Sequence, residues 1–425
     1  MISFIHMRFH CALSLAFLPL LMVLTSCEMP VGPTNAPGAG SPPGGGPFML
    51  GIDVLASRNF DLLRGKRVGL ITNHTAYTSR GEMTRVVMKR ALGASLTTLY
   101  APEHGIFGTE QAGKKVGDRR DPVTGLPVYS LHGDYRKPQP WMLKNIDVLV
   151  FDVQDIGCRS YTYISTMAVS MEAAAEAGKE FVVLDRPNPL GGLRVEGPPL
   201  DSRWKSFVGQ IPVPYVHGMT TGELALMIAG RGWINHVPRV NVAKMQGWTR
   251  GMIWQDTGLR WHPTSPNIPH AMSPAYYVTT GILGSAACAD VGIPWSGDPF
   301  TYAGASGVNP NAMAAAARSW GFPGVSFSPY QHGGDGGVRI SISPRSTANL
   351  TALDIYLTAE LTRVSHGKVA SCLRGDELNL FHKVYGSASL YSDLRRGVSA
   401  ASIVSSWQGS VNNFRAARQR YLLYP

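Results

Sequence analysis

The sequence predicts an α/β protein in which a largely parallel sheet with helices on both faces is followed by a smaller α+β domain. Three observations predict it. Short, continuous apolar runs recur through the first half, as in strands buried on both faces. Segments with apolar residues at helical intervals separate several of these runs. Each run also ends in polar residues of catalytic type, as expected where strand ends line one edge of an open parallel sheet.

The first run is Arg67-Val68-Gly69-Leu70-Ile71-Thr72-Asn73, and Leu96-Thr97-Thr98-Leu99-Tyr100-Ala101 is the second. Ile146-Asp147-Val148-Leu149-Val150-Phe151-Asp152-Val153 is the strongest, and Phe181-Val182-Val183-Leu184-Asp185 follows. Ile211-Pro212-Val213-Pro214-Tyr215-Val216-His217 completes the series. Its prolines remove ladder donors, so an edge or irregular strand is expected. Helices are expected over residues 81–92, 165–177 and 221–229. Thr220 or Thr221 is placed to cap the last, and with Thr220 as N-cap, Glu223 completes a capping box. These units define a Rossmann-like domain over residues 48–231. Residues 232–425 read as the smaller domain, with a strand at 337–342 and helices at 350–363 and 401–422.

The chain has 425 residues, 44% of them hydrophobic and 16% charged, a balance that excludes a disordered polymer. The 47 Gly and 30 Pro indicate many turns and long loops. The formal net charge of +11 suits an anionic partner. The basic residues are scattered, however, with no dense Lys/Arg block and no nucleic-acid motif, so no nucleic-acid partner is expected. Five cysteines occur: Cys11, Cys27, Cys158, Cys288 and Cys372. None forms a C-x-x-C pair. Three fall in the folded part, and this odd number argues against a disulfide framework. Cys158 is expected to pack as a small hydrophobe.

Residues 1–26 carry Arg8 and then a short apolar run over 11–24, the form of a secretion signal. Leu24-Thr25-Ser26-Cys27 resembles a bacterial lipobox, which makes Cys27 the expected lipidation site. Residues 27–47, rich in Gly and Pro, read as a flexible tether. The expected location is the bacterial cell envelope, with a lipid anchor as the membrane contact.

Asn73 and His74 follow the first strand, and Glu103 and His104 the second. Asp152, Gln154 and Asp155 follow the third. Asp185, Arg186 and Asn188 follow the fourth, and His217 the fifth. The nearby Gly105, Gly108, Gly157, Gly191 and Gly192 allow close backbone approach to a ligand. No G-x-G-x-x-G or Walker A sequence accompanies them, so no nucleotide cofactor is indicated. A metal site built from His74, His104, His217, Asp152 and Asp155 is the rival reading. The spacing matches neither H-E-x-x-H nor a D-x-D-x-D-G loop, and no metal is expected.

Several segments carry a resemblance. They are Ala101-Pro102-Glu103-His104-Gly105, Thr124-Gly125-Leu126-Pro127-Val128, Phe151-Asp152-Val153-Gln154-Asp155-Ile156-Gly157 and Arg159-Ser160-Tyr161-Thr162-Tyr163. Further on come Leu184-Asp185-Arg186-Pro187-Asn188-Pro189-Leu190-Gly191-Gly192, Glu196-Gly197-Pro198, His217-Gly218-Met219-Thr220 with Gly222-Glu223, and Pro263-Thr264-Ser265-Pro266-Asn267. Arg418-Gln419-Arg420-Tyr421-Leu422-Leu423-Tyr424 closes the set. With these the chain resembles the exo-β-N-acetylmuramidase family of bacterial cell-wall recycling enzymes. The resemblance implies an active-site cleft between the two domains and no cofactor. It implies hydrolytic release of N-acetylmuramic acid from the non-reducing end of peptidoglycan fragments, with Glu103 at the position of the catalytic glutamate. The stretch 284–292 departs from the family pattern.

Glycoside hydrolysis calls for an acid at the leaving oxygen and a second group at the anomeric carbon. Glu103 is the candidate acid, and an apolar setting is expected to raise its pKa. His104 is placed to orient it. Asp152 and Asp155 are the alternatives for the second carboxylate. Arg159 and Arg186 suit the lactyl carboxylate of muramic acid, or ion pairs with a nearby Asp. Tyr161 and Tyr163 suit stacking on a sugar, with one of them packing inward. Asn73, Gln154, Asn188 and His217 are candidates for hydroxyl contacts. Two other readings accompany this one: a lipid-anchored wall-binding protein that has lost catalysis, and an envelope hydrolase for a different glycan or ester.

Overall fold

Residues 48–425 are described by the computed structural model; the signal segment, Cys27 and the whole tether lie outside the described residues. Seven strands build the first sheet: β1 (Val68–Thr72), β2 (Leu96–Ala101), β3 (Arg119–Arg120), β4 (Pro127–Ser130), β5 (Val148–Asp152), β6 (Glu180–Leu184) and β7 (Val240–Ala243). Their order is β3-β4-β2-β1-β5-β6-β7, and all neighbours are parallel except β3 with β4. The chain winds from β1 outward through β2 to β4, then returns to β5 beside β1 and winds the other way. That reversal opens a crevice beyond the carboxyl ends of β1 and β5.

Alternate residues of each strand point to opposite faces and so into two cores. Val68, Leu70, Val148 and Val150 join α1 (Gly51–Ser57) and α2 (Thr84–Leu92) in one apolar cluster. Ile71, Leu149, Phe151, Phe181 and Val183 join α3 (Tyr163–Glu176) and α4 (Thr221–Arg231) in the other. Helices therefore cover both faces, as expected. Thr220 is the N-cap of α4, and Glu223 closes the capping box through the Thr220 amide.

Two expectations about the sheet are corrected. Residues 211–217 form no strand. Val216 makes only isolated bridges to Cys158 and Glu196, because Pro212 and Pro214 deprive the segment of ladder donors. The position beside β6 is taken by β7, beyond the expected domain boundary at residue 231. The sheet layer thus extends past that boundary.

The second layer carries a four-stranded antiparallel sheet, in the order β10-β11-β9-β8. Its strands are β8 (Ala289–Asp290), β9 (Tyr302–Ser306), β10 (Val325–His332) and β11 (Asp335–Ile342). Helices α5 (Ser273–Thr280), α6 (Pro310–Ser319) and α7 (Leu350–Val364) surround it. The short helices α8 (Lys368–Ser371), α9 (Gly375–Tyr385), α10 (Ser389–Arg395), α11 (Ala400–Ser406) and α12 (Gln408–Arg418) follow. The helix expected over 401–422 is broken at Trp407 into α11 and α12. This layer shares the core of α3 and α4 through Phe300, Val338 and Leu353.

The chain end returns to the first sheet. The Tyr424 hydroxyl donates to Asp185 Oδ2 at 2.5 Å and accepts from the Met245 amide, and its ring joins the cluster of Leu50 and Ile52. Cys288 and Cys372 form a disulfide across 84 residues, which corrects the expectation drawn from an odd cysteine count. Cys158 is the remaining thiol among the described residues, and it is buried as expected.

Candidate active site

The loops after β1, β2, β4, β5 and β6 converge at the carboxyl edge of the sheet. The loop after β1 is tied to the loop after β5 through Thr75, whose hydroxyl donates to Asn73 Oδ1 at 2.6 Å and accepts from the Gln154 amide at 3.0 Å. After β2 the chain turns sharply: His104 and Gly105 both adopt left-handed backbone angles, φ 69° and 73°. The His104 ring is fixed by a 2.7 Å contact from Nδ1 to the Glu110 carbonyl. Gly108 lets His74 lie against the backbone, since a Cβ there would fall 2.0 Å from the ring. His74 in turn reaches the Pro263 carbonyl with Nε2, at 2.6 Å, from the far side of the cleft.

This turn buries Glu103, leaving 7% of the residue exposed. Its Oε1 accepts from the Gly113 amide at 2.7 Å and its Oε2 from the Thr162 hydroxyl at 2.6 Å. His132, two residues past β4, brings Nε2 to 3.5 Å from Oε1. Burial pushes the Glu103 carboxyl up. The His132 ring, the Thr162 hydroxyl, the Gly113 amide and His104 together outweigh it and hold the group below the ordinary carboxylate range. The expected upward shift is therefore corrected: the pocket is buried but rich in donors. His104 lies beside the carboxylate without a hydrogen bond to it, and its Nδ1 is held by the Glu110 carbonyl.

Asp152 is removed from the candidates. Both of its oxygens are clasped by Arg186, at 2.5 Å from Nε and 3.0 Å from Nη2, in a fully buried pair. The same pair corrects the ligand role of Arg186, whose Nη2 also donates to the Tyr77 carbonyl. Arg159 is likewise no ligand. It has no exposed surface and donates to the carbonyls of Pro198, Val213, Val384 and Tyr385. The sequence shows a guanidinium near the motif, while only the fold supplies four converging carbonyls.

Tyr161 and Tyr163 both pack inward, whereas only one was expected to. Their hydroxyls hold Thr264, at 2.8 Å to its Oγ1 and 2.6 Å to its carbonyl, and so pin the Pro263-Thr264-Ser265 loop over the sheet. Asn188 is spent on the Met219 carbonyl and the Leu190 amide. Asp185, also buried, receives Thr220, Thr221, Gly222 and Tyr424, and so fastens α4 and the chain end to β6.

Asp155 is different. Its Oδ1 accepts from the Gly157 amide at 2.8 Å, while Oδ2 has no hydrogen-bond partner. Burial pushes its carboxyl up to about 7. It lines a cavity of about 10 Å³ with Gln154, Asn188 and His217. Gln154 Oε1 and His217 Nε2 are also unpartnered. His217 Nδ1 accepts from the Met219 amide, so the proton of the neutral ring sits on Nε2, and burial lowers the ring's pKa to about 3. Asn73 is buried behind this edge with its amide nitrogen unpartnered. Glu103 and Asp155 both add to the upward push that burial exerts on the Tyr161 and Tyr163 phenols.

The five residues of the rival metal reading do not assemble. Among the described residues no group of three or more His, Cys, Asp or Glu is placed to hold a metal ion. A groove of about 560 Å³ between α7 and the α10–α11 segment contains none of the strand-end residues.

The family model of the exo-β-N-acetylmuramidase NamZ N-terminal domain matches residues 68–272, and that of the C-terminal domain matches residues 275–424. The chain belongs to this family. The peptidoglycan β-N-acetylmuramidase NamZ of Bacillus subtilis (strain 168) is 37% identical over 385 residues, covering 88% of this chain and 91% of that protein. Two solved structures of DUF1343 family proteins from Bacteroides fragilis NCTC 9343 share the fold. One is 40% identical with a TM-score of 0.83, and the other is 26% identical with a TM-score of 0.70. Each match covers 89% of this chain and 99% of the other. The two family domains meet at 272–275, which agrees with β7 belonging to the first layer.

The stretch 284–292 lies within the matched C-terminal family domain. It runs from a single helical turn (Leu283–Ser285) through the disulfide at Cys288 into β8. Asp290 there accepts from the Trp295 indole at 2.8 Å and the Tyr330 hydroxyl at 2.9 Å. The stretch is thus a bonded wall. Sequence reasoning missed His132, Thr162 and Gly113 around Glu103. His132 stands just past β4, a strand whose residues entered the reading only through the family motif 124–128; recognising the strand would have put His132 in the strand-end pattern.

Proposed function

We propose that this chain is an exo-acting glycoside hydrolase that releases N-acetylmuramic acid from the non-reducing ends of peptidoglycan fragments. One observation supports the reading: Glu103, which the family resemblance puts at the catalytic position, is buried and bonded after β2, and Asp155, after β5, keeps an unpartnered oxygen. Glu103 is the candidate acid at the glycosidic oxygen. Asp155 is the candidate for the second role, because its Oδ2 is unspent whereas Asp152 is locked to Arg186. The two carboxyl groups are displaced in opposite directions, and because the lowered one is Glu103, its role as the acid requires a neighbour that supplies it with a proton.

Turnover of a muramic-acid-terminated disaccharide by the wild type and by Glu103→Gln tests this. The variant is expected to lose roughly a hundred- to ten-thousandfold in kcat, the usual weight of general acid catalysis. Undiminished turnover in the variant would remove Glu103 from the mechanism. Absence of free muramic acid with the wild type would overturn the substrate assignment.

We also infer export to the cell envelope with a lipid on Cys27. The signal-like residues 1–26 support it, and so does the Cys288–Cys372 disulfide, since such bonds persist mainly in oxidising compartments. Mass spectrometry of the cell-derived protein tests this: a diacylglyceryl mass on Cys27 as the first residue is expected, and an unmodified Cys27 within the mature chain would contradict it.

A further inference from the structure

His132 is the one buried histidine beside Glu103 that no other group claims. Its ring is 4% exposed, and neither Nδ1 nor Nε2 has a hydrogen-bond partner. Nε2 stands 3.5 Å from Glu103 Oε1. The ring's place is set by its own backbone. The His132 amide donates to Ser130 Oγ at 3.1 Å, and its carbonyl accepts from the Val116 amide at 3.0 Å. One side of the ring rests against Phe207, with centroids 6.0 Å apart, and the Arg136 guanidinium lies 4.5 Å over that same phenyl ring. The charged and titratable groups facing His132 are thus Glu103, Arg136 and His104. Burial, Arg136 and His104 disfavour the imidazolium and outweigh Glu103, which favours it, so the ring is held below the ordinary histidine range and carries a second proton only as the partner of the Glu103 carboxylate.

Glu103 faces a difficulty as an acid. Its oxygens are held by donors that stabilise the carboxylate, so the free site does not keep a proton there. A neighbour able to carry a proton and pass it on removes the difficulty. His104 makes no hydrogen bond to Glu103, whereas His132 Nε2 faces Oε1 at 3.5 Å, and Thr162 gives a hydroxyl with no titratable proton.

We propose that His132 is the positioning residue that loads Glu103 with the proton it delivers to the leaving group. The claim rests on the glycosidase reading above. In the loaded pair one proton is shared between His132 Nε2 and Glu103 Oε1. As the bond between the anomeric carbon and the glycosidic oxygen breaks, Glu103 gives its proton to that oxygen and becomes a carboxylate. His132 is then the route by which solvent returns a proton to Glu103. The pair therefore titrates as a unit, with two macroscopic ionisations.

Leaving-group dependence separates this role from simple packing. A poor leaving group, the amino sugar of a muramyl disaccharide, needs protonation, whereas 4-nitrophenolate from a nitrophenyl muramide does not. His132→Gln is expected to lose about a hundredfold in kcat on the disaccharide and less than about fivefold on the nitrophenyl substrate. Its kcat/KM profile should lose one of the two pair ionisations seen in the wild type, and His132→Asn should behave like the Gln variant. Equal losses on both substrates, or an unchanged profile, would overturn the proposal.

A second measurement does not depend on turnover. The His132 Cε1–H resonance is titrated by NMR in the wild type and in Glu103→Gln, with His132→Gln supplying the assignment. Loss of the facing carboxylate should lower the His132 pKa. An unmoved titration would overturn the pairing. If the wild type released no sugar from either substrate while the titration moved as expected, the pair would stand and the muramidase reading would fall.

Discussion

The Arg186 guanidinium clasps both oxygens of Asp152 across the crevice edge, 34 residues apart in sequence and with almost no solvent contact on either side. Two residues that the sequence offers to a substrate are thereby bound to each other. Removing one partner leaves a buried charge uncompensated. Arg186→Met is expected to lower unfolding free energy by about 3–5 kcal/mol, read from the denaturant midpoint. The double variant Asp152→Leu/Arg186→Met should cost less than the sum of the single changes, because neither charge is then stranded.

Arg159 joins the first layer to the second by giving protons to four carbonyls, two of them at the end of α9. Arg159→Met keeps the aliphatic bulk but strands those carbonyls. A loss of at least about 3 kcal/mol is expected, since each buried polar group without a partner costs about 1–3 kcal/mol. KM for a muramyl substrate should remain within about twofold in the folded fraction. A large rise in KM with unchanged stability would return Arg159 to the binding site.

Asp155 gives a pH dependence of known sign. Its folded pKa is raised to about 7, above the unfolded value of about 3.9. Its contribution to stability is fully present below the unfolded value and is lost as pH rises through about 7. Asp155→Asn removes that term. Relative to the wild type, its denaturant midpoint should therefore improve between pH 4 and pH 8, whatever the offset at pH 4. A constant offset would mean that Asp155 is ionised in the folded state throughout.

The Cys288–Cys372 bond closes a long loop around the wall formed by 284–292. Cys288→Ser/Cys372→Ser should destabilise the protein by about 2–4 kcal/mol, and a reductant should lower the wild-type melting temperature but leave that of the variant unchanged. A thiol count of one on the unfolded, non-reduced chain over residues 48–425 is the direct check.

Legibility in the sequence followed the range of the interaction. The capping box at Thr220 and Glu223 spans three residues and was readable as it stands. The strands β1, β2, β5 and β6 were readable because each is a continuous apolar run buried on both faces. By contrast β7 has only four residues, with Asn241 in its middle, and its pairing with β6 is settled by the sheet edge left open for it. The strand-end pattern grouped Glu103 and Asp155 at the carboxyl ends of β2 and β5. It could not separate them from Asp152 and Asp185, because that distinction depends on which distant group, Arg186 or Tyr424, arrives to satisfy the carboxylate. The disulfide was hidden for the same reason, since 84 residues separate its halves.

Tyr424 reaches under Asp185 and Met245, and the carbonyl of Pro425 accepts from the Arg250 amide. A segment far along the chain therefore supplies a missing piece to a sheet whose strands precede it by more than 170 residues. A gene fragment ending at the family boundary near 272 would encode a sheet layer with an open socket where that tyrosine belongs. Dissection of this enzyme into independent halves must carry the terminal peptide with the first half or supply it in trans.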